Sequence, residues 1–175
     1  MNAVRKKTVF ILLAFIIAAS SRLSAGTGIG AQFGLVPPVF KVDLKESLAV
    51  TLKLDNIPFV FSVKVLFNDD WHVMGGGATA DMWLANPIIG HSVFHLFYGI
   101  GAELQGGDRE AENRNLRHAA VFAAPRFFGG VNCLLTDFSE MYVQAAIEPG
   151  VVFDERDGVK FRILFPIEAG LRLWF

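Results

Sequence analysis

The chain of 175 residues is poor in cysteine: Cys133 stands alone. A single thiol excludes an internal disulfide and a zinc site built on thiolates, so stability in an oxidising compartment must come from packing or from a closed hydrogen-bond network. Cys133 also lies too deep in the chain to be the acylated first residue of a lipoprotein. Positive charge is in no excess either, with 16 basic residues against 17 acidic ones, which offers no footprint for nucleic acid. Long apolar runs are scarce: after Val9 to Ala19 no second one follows, and a bundle of membrane-spanning helices would need several. His72 and His118 have no metal-ligand spacing with the other histidines, and neither a metal nor a cofactor is expected.

What is present begins with Arg5, Lys6 and Lys7, the apolar run Val9 to Ala19, and the small-residue ending Leu23-Ser24-Ala25. This is the layout of a secretory signal peptide, residues 1–25, with cleavage expected after Ala25. The apolar run is well short of the roughly twenty residues of a spanning helix. Removing Arg5, Lys6, Lys7 and Arg22 leaves 12 basic against 17 acidic residues, a formal charge of −5. The remaining domain, 26–175, is rich in apolar residues: the chain is 53% hydrophobic with 17 Phe. Alternating strands with one face turned to lipid are the way left to place that surface.

Period-two alternation recurs along the domain. Ile29, Ala31, Phe33 and Leu35 oppose Gly28, Gly30, Gln32 and Gly34. Ser47 to Leu54 and Phe59 to Phe67 repeat the pattern, and Phe94 to Leu104 carries it most clearly. A fourth strand, Trp71 to Leu84, holds Gly75-Gly76-Gly77, which permits a bend or bulge. A sixth lies within Leu116 to Leu134, interrupted at Pro125, and Met141 to Phe153 and Val159 to Phe175 complete eight. The polar segment Gln105 to Asn115 is expected to be a long exposed loop, on the same side as Pro37 to Glu46 and Asp154 to Gly158. The expected fold is all-β, an eight-stranded antiparallel transmembrane up-and-down barrel, closed because in hydrocarbon every backbone polar group needs a partner. Eight strands leave an interior just wide enough for side chains, which disfavours an open pore.

The last strand, Ile167-Glu168-Ala169-Gly170-Leu171-Arg172-Leu173-Trp174-Phe175, resembles the assembly signal read by the outer-membrane insertion machinery, with Leu171, Leu173, Trp174 and Phe175 as its apolar and aromatic positions. Tyr98-Gly99-Ile100-Gly101-Ala102-Glu103-Leu104, Arg126-Phe127-Phe128-Gly129-Gly130-Val131, and Glu140-Met141-Tyr142 with Glu148-Pro149-Gly150 resemble the small barrels grouped with outer-membrane protein W and the membrane domain of outer-membrane protein A, including spirochaetal relatives of unassigned function. The resemblance implies the outer membrane of a diderm bacterium, with its lipid and its assembly machinery as partners. It implies a barrel that anchors loops, or one that passes small hydrophobic molecules sideways into lipid.

Strand parity gathers Gln32, Lys53, Lys64, Glu103, Arg126, Glu148, Glu168 and Arg172 on one face, with Asp81 if β-strand four keeps register. Ionisable residues at membrane depth mark gated or proton-linked paths in some proteins. The preferred reading is a structural network of ion pairs filling a narrow lumen. His91-Ser92 and His95 suggest a hydrolase only weakly, since adjacent residues of an extended segment point to opposite faces, and no enzyme is expected. Trp71, Trp83, Tyr98, Tyr142, Trp174 and Phe175 read as girdles at the lipid boundary. Gly106 to Arg114 reads as a solvated tip in preference to a binding loop. Three functions stay open: a structural or surface-interaction scaffold, whose loops would meet a host surface ligand; a transporter of a small hydrophobic solute with lateral release; and a secreted lipocalin-like binding barrel. The last requires apolar side chains inside and polar ones outside.

Overall fold

The computed structural model describes residues 26–37, 45–54, 57–67, 71–86, 93–110, 117–155 and 158–175, with the backbone alone at 45, 108–110 and 117–118. The expected signal peptide with its cleavage at Ala25, the His91-Ser92 pair and the tip of the Gly106 to Arg114 segment lie outside the described residues. The strands are β1 (Thr27–Val36), β2 (Lys45–Leu54), β3 (Phe59–Phe67), β4 (Val73–Ala85), β5 (Phe94–Glu110), β6 (Arg117–Thr136), β7 (Ser139–Asp154), β8 (Gly158–Leu164) and β9 (Ile167–Trp174). Neighbours along the chain pair antiparallel from β1 to β8, and β9 lies between β7 and β1. Both β8 and β9 pair with β7 in one register, Glu148 opposite Leu164 and Ala145 opposite Ile167. They are two arms of a single strand parted at Phe165-Pro166, and the whole is a closed eight-stranded up-and-down barrel.

Alternation sets what each side of the wall carries. Along β3, Val60, Ser62, Lys64 and Leu66 are buried while Phe61, Val63 and Val65 are exposed. Along β7 the same rule runs from Glu140 to Glu148 without a slip. The outer wall is therefore apolar, with Ile100, Leu104, Phe127, Val143, Ile147 and Leu171 among its exposed side chains. The inside is polar: of the largest fully buried side chains most are charged. This is the reverse of what a lipocalin-like binding barrel requires.

One expectation is corrected. Gln105 to Asn115 is not a loop throughout, because β5 continues to Glu110 and pairs with β6 as far as Glu110 opposite Arg117. Glycines and mixed charges have low strand propensity, but a partner strand already in register overrides it, since the ladder is made by backbone groups. The irregularity that the glycines of β4 permit lies beside them: the β3–β4 register shifts at Leu66/Phe67, opposite Gly75 and Val73, which leaves Met74 as the extra residue, while Gly75, Gly76 and Gly77 stay paired with both neighbours. Gly75 is needed for close approach, since a Cβ there would strike the Gly106 carbonyl.

Pro125 lies inside β6 and stays paired with β5 through Ala102. On the other side the β6–β7 ladder lapses between Ala123 opposite Val151 and Phe127 opposite Ile147. The register across that lapse sets Pro125 against Pro149, and neither has an N–H to give.

Candidate functional site

Among the described residues the filling of the lumen is layered. Nearest the chain termini lies an aromatic layer. Trp83 and Phe97 stack with ring centroids 4.2 Å apart, and the Lys53 Nζ sits 3.7 Å over the Trp83 ring. The Arg172 guanidinium lies 4.9 Å over Tyr142 and donates to Glu140 at 3.0 Å. Glu140 also accepts from Asn132 at 2.8 Å and from the Trp174 indole at 3.2 Å. Tyr142 donates to Gln32 at 2.8 Å, lying along the wall over Gly170 of β9, which pairs with both.

The middle layer is built on Arg126, whose side chain is 1% exposed. Its guanidinium reaches four carboxylates among the described residues, from β4, β5, β7 and β9: Asp81 at 3.2 Å, Glu103 at 3.1 Å, Glu148 at 2.6 Å, and Glu168. Lys64 on β3 adds contacts to Glu103 at 2.7 Å and Glu168 at 3.7 Å. Gln105 donates to Glu103, and Gln144 donates to Glu168 at 2.6 Å. A planar five-donor fork suits this role, because each N–H bond can be aimed at a different wall. Removing one partner from such a set strands buried charge, at a cost of about 3–5 kcal/mol.

Toward the other end Phe122, Ala124, Val152 and Leu164 form a small apolar layer. Beside it lies a cavity of about 60 Å³ lined by Leu66, Met74, Gly107, Phe122, Arg162 and Leu164 among others. That volume is well under the roughly 300–1,000 Å³ that encloses a drug-sized ligand.

The structure brings Lys64, Glu103, Arg126, Glu148 and Glu168 into one cluster with Asp81, while Arg172 and the half-buried Lys53 belong to the aromatic layer. Of the residues taken as an assembly signal, Leu171, Leu173 and Phe175 point outward and Trp174 leans in to Glu140. The expected girdle is half corrected: Trp71, Tyr98 and Phe175 are exposed, but Trp83 and Tyr142 are buried in the lumen. Aromatic parity in the sequence holds the reason, since Tyr142 shares its side with Gln144 and Glu148, and Trp83 shares its side with Asp81. His95, a hydrolase candidate, is half-buried, and among the described residues its Nδ1 has no hydrogen-bond partner. Glu140 falls outside the parity count because the sequence places the start of the seventh strand at Met141, whereas β7 begins at Ser139. Its parity with Tyr142, Gln144 and Glu148 was the available signal.

Neisserial surface protein A has a similar fold. Its crystal structure superposes with a TM-score of 0.55 at 11% sequence identity, covering 85% of this chain and 96% of that one. That protein is an eight-stranded outer-membrane barrel. No family model matches the chain, and no curated protein does. At so low an identity the likeness concerns the fold: a small closed barrel of the outer-membrane type, whose apolar outside and polar inside this chain reproduces.

Proposed function

We propose that the protein is an outer-membrane barrel of a diderm bacterium that works as a structural or surface-interaction scaffold. The carrying observation is the lumen, shut by Arg126 and its four carboxylates over a floor of stacked Trp83 and Phe97. Nothing the size of a nutrient passes a buried ion-pair cluster without breaking it. The apolar outer wall supports the membrane location, because a contiguous apolar surface of this extent is unfavourable in water and favourable against lipid. In this reading outer-membrane lipid contacts the wall, the insertion machinery reads the last strand, the loops meet any surface ligand, and the chain has no chemistry of its own.

A second reading, lateral passage of a small hydrophobic solute, is favoured by one feature, the apolar cavity beside Phe122 and Leu164. Its small volume and the charged layer beneath it favour the scaffold. The experiment is refolding of residues 26–175 into detergent, then fractionation and liposome reconstitution. A heat-modifiable band, an outer-membrane location and liposomes impermeable to small sugars and ions are the expected results. A soluble periplasmic protein would overturn the membrane reading, and solute-dependent uptake of an apolar dye would replace the scaffold with the transporter.

A further inference from the structure

The cavity at the end of the lumen away from the chain termini has an uneven wall. Leu66, Met74, Phe122, Val152 and Leu164, from five different strands, line it with apolar surface. Its room comes from Gly107 and Ala120, which bring little or no side chain to the wall. Arg162 on β8 is the one charged residue among those that line it, and no carboxylate is among them. The buried Gln105 also lines it and donates to Glu103, so an amide stands between the cavity and the charged layer below.

Three arginines face the lumen among the described residues, and they are not alike. Arg126 and Arg172 are each bonded to carboxylates. Arg162 is half-buried and has no ion pair or hydrogen bond among the described residues, whereas Asp154 and Lys160, the other charged groups of this end, have contacts of their own. A guanidinium half withdrawn from water against apolar walls gives up hydration with no anion in return. Its planar fork matches a carboxylate.

We propose that the cavity is a binding site for a short-chain monocarboxylate, with the carboxylate on Arg162 and the alkyl chain among Phe122, Val152 and Leu164. One enclosed water needs about 10–15 Å³ of such space, so about 60 Å³ holds roughly four to six non-hydrogen atoms, a carboxylate of three or four carbons. Charge separates this ligand from others of its size: an alkylammonium meets Arg162 as a like charge, and an alcohol brings it none. The Arg126 layer closes the lumen beneath, so the ligand is held and not passed. The inference rests on the cavity and its arginine and not on where the protein resides.

Methionine methyl groups test it. Residues 26–175 contain Met74, in the cavity wall, and Met82 and Met141, which do not line the cavity. In the refolded barrel carrying 13C-methyl methionine, butanoate is titrated beside butan-1-ol and butylammonium and followed by NMR. Butanoate is expected to shift Met74 alone and saturably, butan-1-ol to bind at least about tenfold more weakly, since a charged hydrogen bond is lost, and butylammonium to shift nothing. Arg162→Gln should bring butanoate down to the level of the alcohol, and Ala120→Leu, which fills the space, should abolish the shift. Four results would overturn the proposal: no saturable Met74 shift with butanoate, butan-1-ol binding as tightly as butanoate, equal movement of all three methyls as the solute partitions into detergent, or an Arg162→Gln barrel that keeps the preference for butanoate. The comparison of the three solutes on the wild type decides even where a variant does not fold. Liposome permeability tests the scaffold separately, so either reading can fail without the other.

Discussion

Between β1 and β5 the backbone ladders run almost from end to end, shifting only at Leu66/Phe67 and Trp83/Ala85. Between β6 and β9 the wall is broken in mid-strand: at Pro125 against Pro149, and again at Phe165-Pro166. The charges gather at the breaks. Arg126 follows Pro125, Glu148 precedes Pro149, and Glu168 lies just past Pro166. Arg126 and Glu148 face each other across the interval where no ladder bond forms, joined through their side chains at 2.6 Å. A closed sheet therefore need not be uniform, since side chains can hold two strands together where the backbone does not.

The sharpest way to break that comparison is Arg126→Met. Four carboxylates lose their common partner in the region that lacks ladder bonds, and a loss of about 3–5 kcal/mol is expected. It is measured as an earlier urea midpoint of the heat-modifiable band. Lys64→Met, in the continuous wall, should cost less, because Arg126 still holds both Glu103 and Glu168. Next comes Gly170→Ala, whose added Cβ would meet the Tyr142 ring. Overpacking there should cost about 1–3 kcal/mol, with a shift in tyrosine and tryptophan fluorescence.

Restoring the missing donors with the double change Pro125→Val and Pro149→Val should do the reverse. Two ladder bonds are worth about 0.5–1.5 kcal/mol each, offset by about 0.4–1 kcal/mol per proline from a freer unfolded chain. The net gain is small, so the sensitive readout is hydrogen exchange, which should slow from Ala123 to Phe127. Gly106→Ala in the continuous wall has nothing within 4 Å of the new methyl, and its effect should stay within about 0.5 kcal/mol.

The barrel was legible because period-two alternation is a local signal, and β3 and β5 carry it without interruption. The same parity assigned Lys64, Glu103, Arg126, Glu148 and Glu168 to a single face. Parity is silent about height along the barrel, so it did not separate Arg172 and Lys53 from the Arg126 cluster. Residue type and parity disagree at Trp83 and Tyr142: aromatics with a polar handle suit the lipid boundary, but the neighbours two residues away, Asp81 and Gln144, place both rings inside. The extension of β5 to Glu110 was not legible, since a Gly-Gly-Asp-Arg-Glu segment becomes strand only through its partner. Pro125 marked an interruption, but which ladder it would interrupt depended on the tertiary pairing with Pro149.

The strands differ greatly in length: β1 and β2 have 10 residues each, β5 has 17 and β6 has 20. At about 3.3 Å per residue and a tilt of ~45°, ten residues climb about 23 Å and twenty about 47 Å, against an apolar band about 25 Å tall. In the proposed orientation one side of the rim ends near the lipid surface while the other stands well above it. A large molecule arriving from outside would touch the β5–β6 arm first. What it meets there is sheet already paired up to Glu110 and Arg117, so docking on that arm would cost less chain entropy than docking on a free loop of the same length.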